Sequence, residues 1–332
     1  MPRILVTPSQ FHEQPGAYRD VLEGAGFEVV YPPDGDPVRD PARLLELLEG
    51  IDAVVASVEP YTPRVLAESR VSAIARTGVG FDSIDVAAAT AAGVAVTITP
   101  GVLEQSVAEH TLALILAVYR GLGPRSREIH EGRWSRSTLP RLAGQTAGIV
   151  GLGRIGKRVA ELLLALDVHV IAHDPFFDEA FAAAHGIRRC TLDELLERAD
   201  IVSLHSPCTP ETTDLINRQT LARMKRGSVL INMARGGLVD EQAVVEALES
   251  GHLLGAGLDV FKTEPLPVDS PLMDHDGAIL TTHTAGVDHQ SLSDMGRLAA
   301  QCLVDLHAGR WPEACVVNPD VRPRWKWSRW TK

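Results

Sequence analysis

The sequence predicts an α/β protein built from two doubly wound parallel sheets. Three observations carry that prediction. Short β-branched runs alternate with segments of helical periodicity from the first residues onward. The alternation stops in an Arg-rich stretch and then restarts. At 332 residues, the chain is also longer than one hydrophobic core ordinarily organises. Strands this short and continuously apolar are buried on both faces, as parallel strands between helices are.

In the first round, residues 3–7, 28–31, 53–56, 73–76 and 95–99 read as strands. Helical spacing with proline or glycine at the edges falls at 17–24, 41–48, 63–68 and 83–91. A longer helix is expected over 103–119, followed by an irregular Arg-rich stretch, 121–144. In the second round, strands are expected at 146–150, 168–173, 201–204, 228–232, 255–258 and 278–281, with a last helix at 291–307. The tail 322–332, RPRWKWSRWTK, is rich in tryptophan and basic residues. It is expected either to fray or to dock on a partner subunit or a cleft.

Composition narrows the partners. Hydrophobic residues at 45% and charged residues at 23% describe an ordinary globular protein. A net charge of -11 opposes binding to a nucleic-acid backbone, which demands a basic surface. The cysteines, Cys190, Cys208, Cys302 and Cys315, form no CxxC pair. Neither a metal site nor a disulfide framework is expected. The start, MPRILVTPSQ, reads as a strand rather than a signal peptide, and the apolar run 112–118 is too short to span a bilayer. A cytoplasmic protein without a membrane partner is the expectation.

A cofactor site is legible in TAGIVGLGRIGKRVAELLLAL. Gly151, Gly153 and Gly156 form G-x-G-x-x-G between an apolar strand and an amphipathic helix. In that setting they allow a tight turn, close backbone approach to a pyrophosphate, and close helix–strand packing. The next strand, VHVIAHDP, ends at Asp174, which can accept hydrogen bonds from ribose hydroxyls and would repel a 2′-phosphate. NAD rather than NADP is expected.

Three further segments stand at predicted strand ends: NMARGGLVDE around Arg235, LDVFKTEP around Glu264 and TTHTAG around His283. Ligands of open α/β sheets bind beyond the carboxyl ends of strands, so these can converge. Proton-coupled hydride transfer to a 2-keto acid needs this combination. A guanidinium binds the planar carboxylate and carbonyl oxygens. An imidazole, which titrates near ~6.5 in water, delivers the proton, and a carboxylate fixes its tautomer. His205 reads as a structural group at a strand end near the cofactor, and His110, in AEHTLAL, as a residue packed on a helix.

The ordered set RTGVGFDSIDV, SVAEHTLAL, VGLGRIG, HSPCTPET, NMARGGLVDE, LDVFKTEP and THTAG resembles the D-isomer-specific 2-hydroxyacid dehydrogenase family over about residues 1–320. The resemblance implies a Rossmann cofactor domain, 101–286, inserted in a flavodoxin-like substrate domain made from 1–100 and 287–332, with a cleft between them. It implies Arg235, Glu264 and His283 as the catalytic trio. Around the cofactor it implies Arg154 and Ile155 beside the glycines, then Ser206, Pro207 and Thr212, then Ala234 and Gly286. Asp259 would meet the nicotinamide carboxamide. Ser57, Val58, Val79 and Gly80 would hold the substrate, with backbone amides at 79–80 on its carboxylate. The stretch 121–144 resembles the family's dimerisation arm, which implies a homodimer.

Departures bear on the substrate. Relatives that act on 3-phosphoglycerate carry an arginine where this chain has Ala56, and Leu103 replaces an asparagine common in the family. Val58, Glu59, Tyr61 and Leu103 are expected to form the side-chain pocket, with Glu59 disfavouring a second negative charge. The resemblance therefore implies a small 2-keto or 2-hydroxy acid. Two alternatives share it: an NAD-binding corepressor-like protein, which keeps the trio, and a formate or phosphite dehydrogenase. Formate-specific relatives carry Gln in place of Thr282.

Overall fold

The computed structural model describes residues 1–13, 16–33 and 38–327. The chain divides into two compact units, one of Met1–Leu103 with Val287–Lys332, the other of Glu104–Gly286. Each is built on one all-parallel sheet, in agreement with the predicted α/β class.

The first unit carries β1 (Arg3–Val6), β2 (Glu28–Val30), β3 (Ala53–Ala56), β4 (Ala73–Arg76) and β5 (Ala95–Thr97), in the flavodoxin-like order β2-β1-β3-β4-β5. Its central strands are mostly apolar because both faces are covered. Ile4, Val6, Val55 and Ala75 pack with Leu22, Leu303 and Leu306 on one side. Leu5, Val54, Ala56 and Ile74 pack with Leu44 and Leu66 on the other. The tail neither frays nor reaches away over its described part. Trp325 and Trp327 join the first of these clusters, and Trp325 Nε1 donates to Ser72 O at 2.9 Å. Enough apolar area is available there to outweigh the entropy of ordering the segment. Residues 328–332 lie outside the described residues.

The second unit carries β6 (Thr146–Val150), β7 (His169–His173), β8 (Arg188–Arg189), β9 (Ile201–Leu204), β10 (Ser228–Asn232), β11 (Leu253–Leu258) and β12 (Ala278–Leu280). Their order is β12-β11-β10-β9-β6-β7-β8. The chain winds outward from β6 through β7 to β8, then crosses to β9 and winds the other way. Between β6 and β9 lies the switch point where ligands of such sheets bind.

Two local expectations are corrected, and one strand was not expected at all. The stretch 121–144 is not irregular throughout: Leu122–His130 is a helix with no buried residue, so it shows no apolar stripe to read. β8 has only two residues, both exposed, and gives no pattern. β11 begins at Leu253, two residues before the expected Gly255, a start that its glycines obscure in the sequence. A Cβ on Gly257 would stand 2.9 Å from Leu114 Cβ, so glycine there admits the helix Glu104–Arg120 against the sheet. Among the described residues, no helix is long and apolar enough to cross a membrane.

Candidate active site

The loops that leave the carboxyl ends of the second unit's strands touch one another in sequence across the sheet. Gly151 follows β6 with φ of 95°, and a Cβ there would stand 2.7 Å from the backbone of His205 and Ser206, which follow β9. The loop after β9 leads to Cys208, whose Sγ would be 2.8 Å from a Cβ on Gly237. A Cβ on Gly236 would in turn meet the Phe261 carbonyl carbon at 1.9 Å. Backbone contact this close brings the loops after β6, β9, β10 and β11 into one continuous rim.

At the switch point the rim offers donors. The helix Arg154–Leu164 starts at Gly153 with no side-chain cap, so its first amides face outward with the positive end of the helix dipole. A Cβ on Gly153 would meet nothing within 4 Å, whereas one on Gly156 would collide with Gly151 O at 2.1 Å. Gly156 thus serves helix–strand packing, and Gly153 keeps the space above the loop open. Ser206 Oγ is buried without a partner among the described residues. An uncapped helix start, open space over glycine and an orphaned hydroxyl fit a dinucleotide's phosphates. Asp174 closes the next strand. Its Oδ2 accepts from Leu152 N and its Oδ1 from Phe176 N, both at 2.7 Å, while Asp178 caps the following helix. The carboxylate is thereby locked beside the Gly-rich loop, each oxygen keeping a further lone pair.

Thr212 braces its own loop, donating to Pro207 O at 2.8 Å. His205 Nε2 stands 2.8 Å from Ser203 Oγ, and burial pushes the ring down to about 4, which keeps it neutral.

Arg235, Glu264 and His283 come together on the same rim. Buried Asn232, the last residue of β10, folds the turn that presents Arg235. Its Oδ1 accepts from Ala234 N at 3.1 Å and its Nδ2 donates to Arg235 O at 2.8 Å. Glu264 Oε1 accepts from Phe261 N at 3.0 Å, and Oε2 pairs with His283 Nδ1 at 2.8 Å. Burial works to raise the Glu264 carboxyl. The His283 hydrogen bond and charge, the Phe261 N–H and the Arg235 charge outweigh it and hold the carboxyl below its ordinary range. The imidazole is fixed through Nδ1, leaving Nε2 for another partner.

Asp259, expected at a nicotinamide, is buried, and both its oxygens are committed to the 281–285 loop. Oδ1 accepts from Thr281 Oγ1 at 2.6 Å and Thr284 N at 3.0 Å, and Oδ2 from Ala285 N at 2.9 Å. Gly286 ends this unit. Sequence reasoning missed Asn232 as the residue shaping the Arg235 turn, and it missed His110 beside Thr281; neither residue type signals its partner.

The four substrate candidates lie in the first unit. Ser57 and Val58 follow β3, Val79 and Gly80 follow β4, and the two loops are tied where Thr77 N and Oγ1 both reach Ala56 O at 2.9 Å. The expected side-chain pocket is corrected: Glu59, Tyr61 and Leu103 are buried, and only Val58 is exposed. Glu59 turns inward and accepts from Ser57 N at 2.7 Å. Burial raises its carboxyl against the lowering pull of Thr7, Ser57 and Arg76.

Residues 112–285 match the family model described as the NAD-binding domain of D-isomer-specific 2-hydroxyacid dehydrogenases. The chain belongs to that family. It is 41% identical over 297 residues to a D-3-phosphoglycerate dehydrogenase of Mycobacterium tuberculosis, covering 86% of this chain and 56% of the relative, so it spans little more than half of that protein. It is 36% identical to a glyoxylate reductase of Korarchaeum cryptofilum, covering 85% of this chain and 87% of the relative. Among solved structures, the TT0316 protein of Thermus thermophilus matches with a TM-score of 0.84 at 38% identity, covering 95% of this chain and 99% of that one. A D-lactate dehydrogenase of Aquifex aeolicus complexed with NAD and lactic acid matches with a TM-score of 0.82 at 28% identity, covering 95% and 98%.

Proposed function

We propose that this dehydrogenase-family chain reduces a small 2-keto acid to the D-2-hydroxy acid with NADH, and oxidises the hydroxy acid with NAD in reverse. The observation that carries the reading is the 2.8 Å pair between His283 Nδ1 and Glu264, with the Arg235 charge acting on the same carboxylate. When bound, the nicotinamide supplies the hydride to the substrate's C2. Arg235 holds the substrate's carboxylate and carbonyl oxygens and stabilises the negative charge that grows on the carbonyl oxygen. His283 delivers a proton from Nε2 to that oxygen, which becomes the hydroxyl. Glu264 keeps Nδ1–H in place before and after the transfer, so the ring ends neutral and correctly turned.

For the cofactor, the reading assigns the pyrophosphate to Gly151–Gly156, with Arg154 and Ile155 in the first helical turn, and the ribose hydroxyls to Asp174. Ser206, Pro207, Thr212, Ala234 and Gly286 stand on or beside the same loops. For the substrate, it assigns the amides of Val79 and Gly80, with Ser57 and Val58. The chain's first unit then acts as the substrate domain and its second as the NAD domain.

Glyoxylate and pyruvate suit the reading, in keeping with the glyoxylate reductase and D-lactate dehydrogenase relatives. Ala56 is buried and uncharged, and Glu59, three residues on, is buried and turns inward to Ser57 N. The cation beside this position is Arg76, the register partner of Ala56 on β4, and its charge acts on Glu59. The phosphoglycerate dehydrogenase relatives make a phosphorylated substrate the comparison to run. The exposed Leu122, Ile129 and Trp134 support the 121–144 stretch as the contact of a homodimer, which light scattering tests.

NADH consumption is to be followed with glyoxylate, pyruvate, hydroxypyruvate and its 3-phosphate. Turnover of the unphosphorylated acids is expected. Tight NADH binding with no turnover of any of them would favour the corepressor-like alternative instead.

A further inference from the structure

We propose that His110 is a positioning residue for His283, acting through the Thr281 hydroxyl and the Asp259 carboxylate. The inference rests on the reading of His283 as the proton donor. It concerns the backbone that carries that ring, not the ring's own partners.

His110 projects from the helix Glu104–Arg120, and its Nε2 lies 3.0 Å from Thr281 Oγ1 and 3.8 Å from Asp259 Oδ1. Thr281 Oγ1 lies 2.6 Å from Asp259 Oδ1. A hydroxyl has one proton, and a carboxylate only accepts, so that proton points at Asp259. His110 must then donate from Nε2 to the hydroxyl's lone pair. This fixes the tautomer of His110 and holds the Thr281 rotor in the one orientation that serves Asp259.

Asp259 does the rest. Its carboxylate gathers Thr281 O–H, Thr284 N–H and Ala285 N–H, and its carbonyl accepts from His283 N at 2.8 Å. Anchored residues therefore bracket His283 on both sides. The bracket has a purpose visible in the backbone: His283 has φ of 57°, in the left-handed region that residues other than glycine seldom occupy. Such a conformation persists only where its surroundings over-determine it. Loss of the His110 donor frees the Thr281 rotor and weakens one of the three carboxylate bonds. His283 can then relax away from Glu264. A displacement of about 1 Å in a reacting group costs on the order of 10²-fold in rate.

The test uses His110→Phe, which keeps a ring and deletes the donor, and His110→Gln, which restores an N–H at similar reach. Thr281→Val, the His110→Phe/Thr281→Val pair and His283→Ala complete the set. Glyoxylate turnover, NADH affinity by fluorescence and Tm are read for each. We expect His110→Phe and Thr281→Val each to lower kcat about tenfold or more, with NADH affinity within about twofold. His110→Gln should recover most of the loss, and the double variant should fall no further than the worse single one, as coupled residues do. Wild-type kcat in His110→Phe alongside an inactive His283→Ala overturns the inference and spares the reading of His283. So does a Gln variant as slow as the Phe variant, which makes the role one of packing. Near-normal turnover in His283→Ala overturns both.

Discussion

The loops of the two sheets carry charge in opposite ways. In the unit of residues 104–286, Glu264 and His283 pair through their side chains and the Arg235 charge acts on the same carboxylate, on loops so close that several positions admit only glycine. In the other unit, the loops after β3 and β4 carry the amides proposed for the substrate, while Glu59 turns inward to support Ser57. On the proposed reading, the first arrangement is the one that would perform the chemistry with side chains, and the second would hold the substrate through main chain. A charged residue at a strand end is therefore not by itself a ligand contact, since the direction of its side chain decides.

Substitutions should separate the two arrangements. The largest effect is expected at Arg235. Its change to Ala should lower kcat/KM for glyoxylate by about 10²–10³-fold, the usual consequence of removing a group that stabilises developing oxyanion charge. A loss below tenfold would remove Arg235 from substrate binding. Glu264→Gln should lower kcat by about 10²-fold with NADH affinity intact, because an amide can present the wrong group to Nδ1. Asp174→Ser should narrow the preference for NAD over NADP by about tenfold. An unchanged ratio would leave Asp174 as a loop brace through Leu152 and Phe176 alone.

The smallest effect is expected at Glu59, and it concerns stability. Burial raises this carboxyl, so the folded protein keeps the proton to higher pH than the unfolded chain does. The associated stability is full below the ordinary carboxylate pKa of ~4.3 and declines as pH rises through the folded value. Glu59→Gln removes that decline. It should match the wild type in acid and exceed it at neutral pH by about 1 kcal/mol, read as a rise in Tm of about 2 °C. A variant less stable at neutral pH would mean that the ionised group is favourably paired in the fold.

What could be read from the sequence follows the same division. The Gly-rich loop was legible because its glycines answer to backbone contacts that no side chain tolerates, as at Gly156 against Gly151 O. The trio was legible because each member lies in a motif that follows a strand, and the motifs come in an ordered set. Glu59 and Tyr61 were misread because spacing places a residue on a loop without saying which way it faces. His110 was passed over for a related reason. It sits in an apolar helical pattern, and its partner Thr281 lies 171 residues further along the chain. Only the fold makes them neighbours.

The central claim, that a carboxylate-backed imidazole at position 283 delivers the proton, is tested most directly by a single turnover. Wild-type enzyme and His283→Ala are loaded with NADH, mixed with glyoxylate, and followed by loss of NADH fluorescence. The account predicts equal NADH binding and a rate about 10²–10⁴-fold slower in the variant. Equal binding with an equal rate would contradict it.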